Sequence, residues 1–101
     1  MAFPLKTFEE IRTILHAHDG DLRQQYGITS LSVFGSVVRG EAREDSDVDI
    51  LATFNQPVGL LKLIDAEYYL SDLLDLKVDL IPSDEVRLEL QDQIFNEAVP
   101  V

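Results

Sequence analysis

Three short apolar runs, each bounded by turn residues, do most to define the fold of this chain. Ser30 to Phe34, Asp47 to Phe54 and Lys77 to Ile81 read as strands. Leu31 and Val33 share one face of the first. In the second, Val48, Ile50 and Ala52 lie on one face, and Asp47, Asp49 and Leu51 on the other. Segments of helical spacing surround these runs. Thr7-Phe8-Glu9-Glu10 has the capping-box pattern and opens a helix whose apolar face is Phe8, Ile11 and Leu15, with Ile14 beside them. A second short helix is expected from Asp21 to Tyr26, ended by Gly27. Leu60, Leu63, Ala66, Leu70 and Leu73 place a helix over Leu60 to Leu74. Ser83 is positioned to cap a last helix with Val86, Leu90 and Ile94 on one line, stopping before Pro100. The order αβαβαβα predicts an α/β fold: a small sheet with helices packed against it, one domain over residues 1–101.

Composition narrows the function. Nineteen Asp and Glu against 8 Lys and Arg give a net charge of −11. Nucleic-acid binding needs a basic stripe to displace counterions. Here Lys and Arg are scattered, which argues against stable binding to DNA or RNA. The acidic surplus reads either as solubility or as steering of a basic protein partner. There is no cysteine, which excludes disulfides and thiolate metal sites. No apolar run has the roughly 20 residues of a membrane span, and Met1 to Lys6 does not read as a signal peptide. A cytoplasmic protein with no membrane partner is expected.

The chemistry is concentrated between Phe34 and Asp49. Residues two apart on a strand point the same way, about 6.6–7 Å apart. Asp47 and Asp49 therefore set two carboxylates side by side, where they repel. A hard divalent cation such as Mg²⁺ gives a reason for that arrangement. Two such ions would clamp the attacking and leaving oxygens of a phosphoryl-type displacement. Upstream, a strand turning through Gly35-Ser36 into a short helix over Val37-Val38-Arg39-Gly40 offers free backbone N–H groups and a hydroxyl to a phosphate. Arg39 and Arg43 are near enough in sequence to neutralise phosphate charge. A third acid, Asp79, sits inside the apolar run Lys77-Val78-Asp79-Leu80-Ile81. If that strand neighbours the second, Asp79 meets Asp47 and Asp49, where it holds a second metal or accepts a proton. A Gly-Ser pair followed after ten residues by Asp-x-Asp arises by chance in about one chain per thousand of this length, and several-fold more often in an Asp-rich one. The plain alternative is an acidic loop leading into a strand. It leaves Gly35-Ser36 and Asp79 unexplained.

With these residues in place the chain resembles the minimal nucleotidyltransferases of the DNA polymerase beta-like superfamily. Within them it is similar to the MntA-type antitoxins encoded beside HEPN-domain toxins. The resemblance runs from about Leu5 to the end. It rests on Tyr26-Gly27-Ile28, Leu31 to Gly35-Ser36, Arg39-Gly40-Glu41-Ala42-Arg43, Asp45-Ser46-Asp47-Val48-Asp49-Ile50-Leu51, Lys77-Val78-Asp79-Leu80 and the closing Glu97-Ala98-Val99. It implies the small mixed β-sheet nucleotidyltransferase core (α+β), that Gly35 and Ser36 hold a triphosphate, that Asp47 and Asp49 bind Mg²⁺, and that Asp79 is the third carboxylate. It implies ATP as donor and a HEPN toxin as lasting partner, silenced by AMP on a tyrosine hydroxyl. Val37-Val38 stands where relatives often carry an aromatic residue and Ala. Larger members of the superfamily add a helical domain for base and acceptor, so the partner is expected to complete the site.

Two alternatives compete with this expectation. One is a non-catalytic acidic module that masks a basic toxin by contact. The other is a small-molecule nucleotidyltransferase. His16 and His18, two apart on a helix, are expected to be surface residues and not ligands. Leu61, Tyr68 and Tyr69 are expected to pack at the core or its edge, with a partner surface as the alternative.

Overall fold

The computed structural model describes residues 7–40 and 47–101. Helix α1 (Phe8–Ala17) begins at the capping box, with the Thr7 side chain accepting from the Glu10 N–H and Glu10 reaching back to the Thr7 backbone. Helix α2 (Asp19–Tyr26) starts two residues earlier than the sequence pattern predicts, taking in Gly20, and ends at Gly27 in the left-handed conformation. The half-buried His18 links the two helices, and its Nδ1 bonds the Ile14 carbonyl. Strand β1 (Ile28–Phe34) leads through Gly35 into the four-residue helix α3 (Ser36–Arg39). Strand β2 (Val48–Phe54), helix α4 (Leu60–Leu74) and strand β3 (Val78–Pro82) follow. A 3-10 turn (Ser83–Glu85), helix α5 (Leu88–Glu97) and the two-residue strand β4 (Val99–Pro100) complete the chain.

The strands lie in the order β3-β2-β1-β4. β2 pairs antiparallel with β1 and parallel with β3, so the sheet is mixed. A parallel pair needs a crossover, and α4 supplies it. Alternation along the strands gives the sheet two unlike faces. On one, Leu31, Val33, Val48, Ile50, Ala52, Val78 and Leu80 pack beneath Ile11 and Leu15 of α1, Leu22 of α2, and Ala66, Leu70 and Leu74 of α4. On the other, Phe34, Leu51 and Val86 form a smaller cluster with Ile81, Ile94 and Ala98. The acidic residues of β2 and β3 belong to this second face.

The end of the chain differs from expectation. Ser83 does not cap the last helix: it lies in the 3-10 turn, and its hydroxyl pairs with that of Thr53 at 3.1 Å. Val86 is extended and buried against Phe34 and Leu51, and α5 starts only at Leu88, with no side-chain cap. Burying Val86 outweighs the local capping preference. Strand β4 had no forecast. Among the described residues no helix is long and apolar enough to cross a membrane.

Candidate active site

The register of β2 on β3 sets Asp49 directly against Asp79. Asp47 stands just before β2, where the Val48 N–H bonds the Lys77 carbonyl at 2.8 Å. The antiparallel partner of Asp49 on β1 is Phe34, the residue before Gly35. The sheet thus brings together the three acids and the Gly35-Ser36 turn, which the sequence places far apart.

Gly35 has φ 82° and ψ −150°, a combination essentially reserved for glycine. It also lies beneath the Asp49 carboxylate: a Cβ on Gly35 would be 2.2 Å from Asp49 Oδ2. The missing side chain is therefore what lets the carboxylate rest over the turn. Ser36 opens α3 with no side chain capping that end.

The charge around Asp49 is poorly balanced. Its pKa is raised, first by burial, then by Asp79 and Asp47, with Arg39 pulling it down and Glu97 pushing it up. Among the described residues Asp47 has a salt-bridge partner in Lys77, at 4.0 Å and 82% exposed, which compensates little. Arg39 donates from Nη1 to Glu97 Oε1. Arg43, with Glu41, Glu44 and Asp45, lies outside the described residues.

Asp79 is exposed: alternation along β3 buries Val78 and Leu80 on one face and turns Asp79 to the other. Helix α4 pins this edge. Ser71 Oγ accepts from the Val78 N–H at 3.2 Å and Glu67 Oε2 from the Leu80 N–H at 3.0 Å, on either side of Asp79. The sequence reading missed Glu67 and Ser71, which carry no motif. It also gave no role to Glu97, whose only signal was the closing Glu97-Ala98-Val99.

The donor set suits a hard cation: clustered carboxylates, no soft ligand, and repulsion that an ion would relieve. Among the described residues no group of three carboxylate or imidazole side chains is arranged to hold a metal ion alone. Mg²⁺ does not require one, since it keeps waters and takes substrate phosphates as ligands. Asp79 is exposed, and Asp47 and Asp49 are half-buried. A depression of about 230 Å³ lies beyond the far end of β2, lined by Thr53, Asn55, Gln56 and Ser83.

Comparison with known proteins decides the family. Residues 16–101 match the family described as Nucleotidyltransferase domain. The chain belongs to that family. This nucleotidyltransferase is 47% identical over 95 residues to the protein adenylyltransferase MntA of Thermococcus cleftensis, covering 94% of this chain and 96% of that protein. A solved structure, proposed to be a minimal nucleotidyltransferase, superposes with a TM-score of 0.72 at 34% identity, covering 90% of this chain and 95% of that one. The fold also matches a chain from the complex of tri-AMPylated Shewanella oneidensis HEPN toxin with its MNT antitoxin. There the TM-score is 0.66 at 18% identity, covering 89% of this chain and 70% of that one. The expected enzyme class and the small mixed-sheet nucleotidyltransferase fold are both borne out.

Leu61 and Tyr68 do not pack as expected. They are 80% and 67% exposed, and with Leu60 and Ile64 they line the outer side of α4. Tyr69 does pack, its ring 5.2 Å from that of Tyr26, while its hydroxyl donates to Asp21. His16 is exposed, as expected.

Proposed function

We propose that this nucleotidyltransferase transfers AMP from ATP to a tyrosine hydroxyl of a HEPN-domain toxin, with Mg²⁺, and thereby neutralises it. The observation that carries the reading is the Asp49 carboxylate, held over the side-chain-free Gly35 and opposite Asp79. The relative named as a protein adenylyltransferase, matched over nearly its whole length, supports AMP transfer to a protein.

The chain's own residues divide the work. Gly35 and Ser36 receive the triphosphate, and Arg39, with Arg43, balances its charge. Asp47, Asp49 and Asp79 would hold two Mg²⁺ ions, which when bound would supply charge neutralisation and alignment of the polyphosphate for in-line displacement. The tyrosine oxygen forms a bond to the α-phosphorus. The bond from that phosphorus to the bridging oxygen of the β-phosphate breaks, and pyrophosphate leaves. Asp79, which is exposed, takes the hydroxyl proton. Asp47→Asn and Asp49→Asn should each abolish transfer while the far-ultraviolet spectrum stays native. Transfer at an unchanged rate in both would remove the metal assignment.

Contact masking is the second reading, favoured by α4. Leu60, Leu61, Ile64 and Tyr68 form an exposed apolar stripe, with Asp65 and Asp72 also exposed on the helix. A second copy of this acidic chain would set like charges together. A toxin surface with an apolar centre and basic rim fits better.

A further inference from the structure

The closing segment Glu97-Ala98-Val99 has a structural role that the transfer reaction leaves open. Strand β4 pairs Val99 with Val33 and Pro100 with Ser32, and the Val101 N–H donates to the Leu31 carbonyl at 3.0 Å. Val33 is two residues before Gly35, so this pairing delivers the end of α5 to the phosphate turn. Ala98 packs in the same cluster as Phe34 and fixes the approach. Glu97 is the last residue of α5, and its side chain is only 18% exposed. Its carboxylate accepts a hydrogen bond from the Arg39 guanidinium, which is 47% exposed at the end of α3. Arg39 and Glu97 both act electrostatically on Asp49, with opposite sign. A guanidinium that leaned onto Asp49 would satisfy that carboxylate in place of a cation and would be lost to the nucleotide.

We infer that Glu97 is a positioning residue: its ion pair holds Arg39 beside the Gly35-Ser36 turn and off the Asp49 carboxylate, so that the guanidinium is presented to a nucleotide polyphosphate. This rests on the nucleotide site proposed above. Glu97 touches neither the phosphates nor the reacting atoms, and it acts through Arg39. The C-terminal strand is thereby part of the nucleotide site, although the sequence separates Glu97 from Arg39 by 58 positions.

The test compares wild type with Glu97→Gln and Glu97→Asp in the full chain. Without nucleotide, the ¹⁵N resonance of Arg39 Nε should move in Glu97→Gln and move less in Glu97→Asp. With Mg²⁺ and a non-hydrolysable ATP analogue, calorimetry should show binding about five-fold weaker in Glu97→Gln, equivalent to about 1 kcal/mol for a half-exposed pair. Glu97→Asp should recover part of the loss. In transfer assays the KM for ATP should rise by a similar factor, with kcat within about two-fold. An unmoved Arg39 resonance, or equal affinity in folded Glu97→Gln, overturns the inference. Should Glu97→Gln not fold, wild-type affinity in Glu97→Asp overturns it instead. Wild type that binds no analogue refutes the proposed nucleotide site, and the Arg39 resonance then decides the pairing separately.

Discussion

Replacing Gly35 by alanine puts a methyl group where the Asp49 carboxylate lies. The new Cβ would sit 2.2 Å from Asp49 Oδ2 and 3.2 Å from its Cγ. Ordinary heavy-atom contact is near 3.5 Å, so the carboxylate must retreat by about 1 Å or the turn must open. The backbone itself resists, because φ 82° with ψ −150° costs a residue bearing a Cβ about 1–3 kcal/mol. Overpacking adds about 1 kcal/mol or more. Gly35→Ala should therefore lose about 2–4 kcal/mol of stability in urea titration. It should lose at least about 100-fold in AMP transfer, since a 1 Å misplacement at a reacting centre has that effect. Two other glycines separate these causes. Gly40 has φ 73° but open space around it, so Gly40→Ala should cost about 1 kcal/mol through backbone strain alone and leave Asp49 in place. Gly59 has neither constraint, and Gly59→Ala should be near neutral. A Gly35→Ala protein that unfolds and transfers like Gly59→Ala would refute the placement of Asp49 over the turn.

Three further outcomes follow from the same geometry. Asp49→Asn should stabilise the metal-free protein at pH 7 while it destroys transfer. The Asp49 pKa is raised in the fold, so its stabilising contribution is present below the ordinary value of 3.8 and is lost as pH rises through the raised one. The advantage of Asn should then vanish at acid pH in chelator-treated protein, and an advantage that grows there would contradict the sign. Glu67→Ala should cost about 1–2 kcal/mol and lower transfer, because the Leu80 N–H beside Asp79 loses its partner; hydrogen exchange at Leu80 reports it directly. Leu61→Asp should leave the unfolding midpoint within about 0.5 kcal/mol of wild type, Leu61 being 80% exposed, yet weaken capture of a toxin partner. Undiminished capture would move the contact surface away from α4.

Much of this was readable from residue spacing. Helix α4 runs from Leu60 to Leu74 in both the apolar pattern and the structure, because five apolar positions at helical spacing leave little room for another register. The turn at Gly35-Ser36 is legible for the same reason: it is local. What escaped was set by distant partners. The order of strands in the sheet sets Asp79 against Asp49, and the packing of distant elements decides how much of its face is covered; no run of five residues encodes either. Strand β4 is two residues long, one of them proline, too short to show a period. The spacing of Val86 to Leu90 and Ile94 is helical, yet Val86 is extended and packs against Phe34 and Leu51. The outer stripe of α4 looked like core because apolar spacing records a face that wants burial, not whether the same chain covers it.

The central claim is that Asp47, Asp49 and Asp79 run AMP transfer onto a partner protein. The most direct measurement is the intact mass of the toxin bound to this chain, after incubation with Mg²⁺ and ATP, for wild type and Asp47→Asn in parallel. With wild type alone the toxin should gain one or more AMP masses, located by fragmentation to a tyrosine. A stable complex whose toxin keeps its mass with wild type would contradict it, and would leave the acidic surface and the α4 stripe to act by contact.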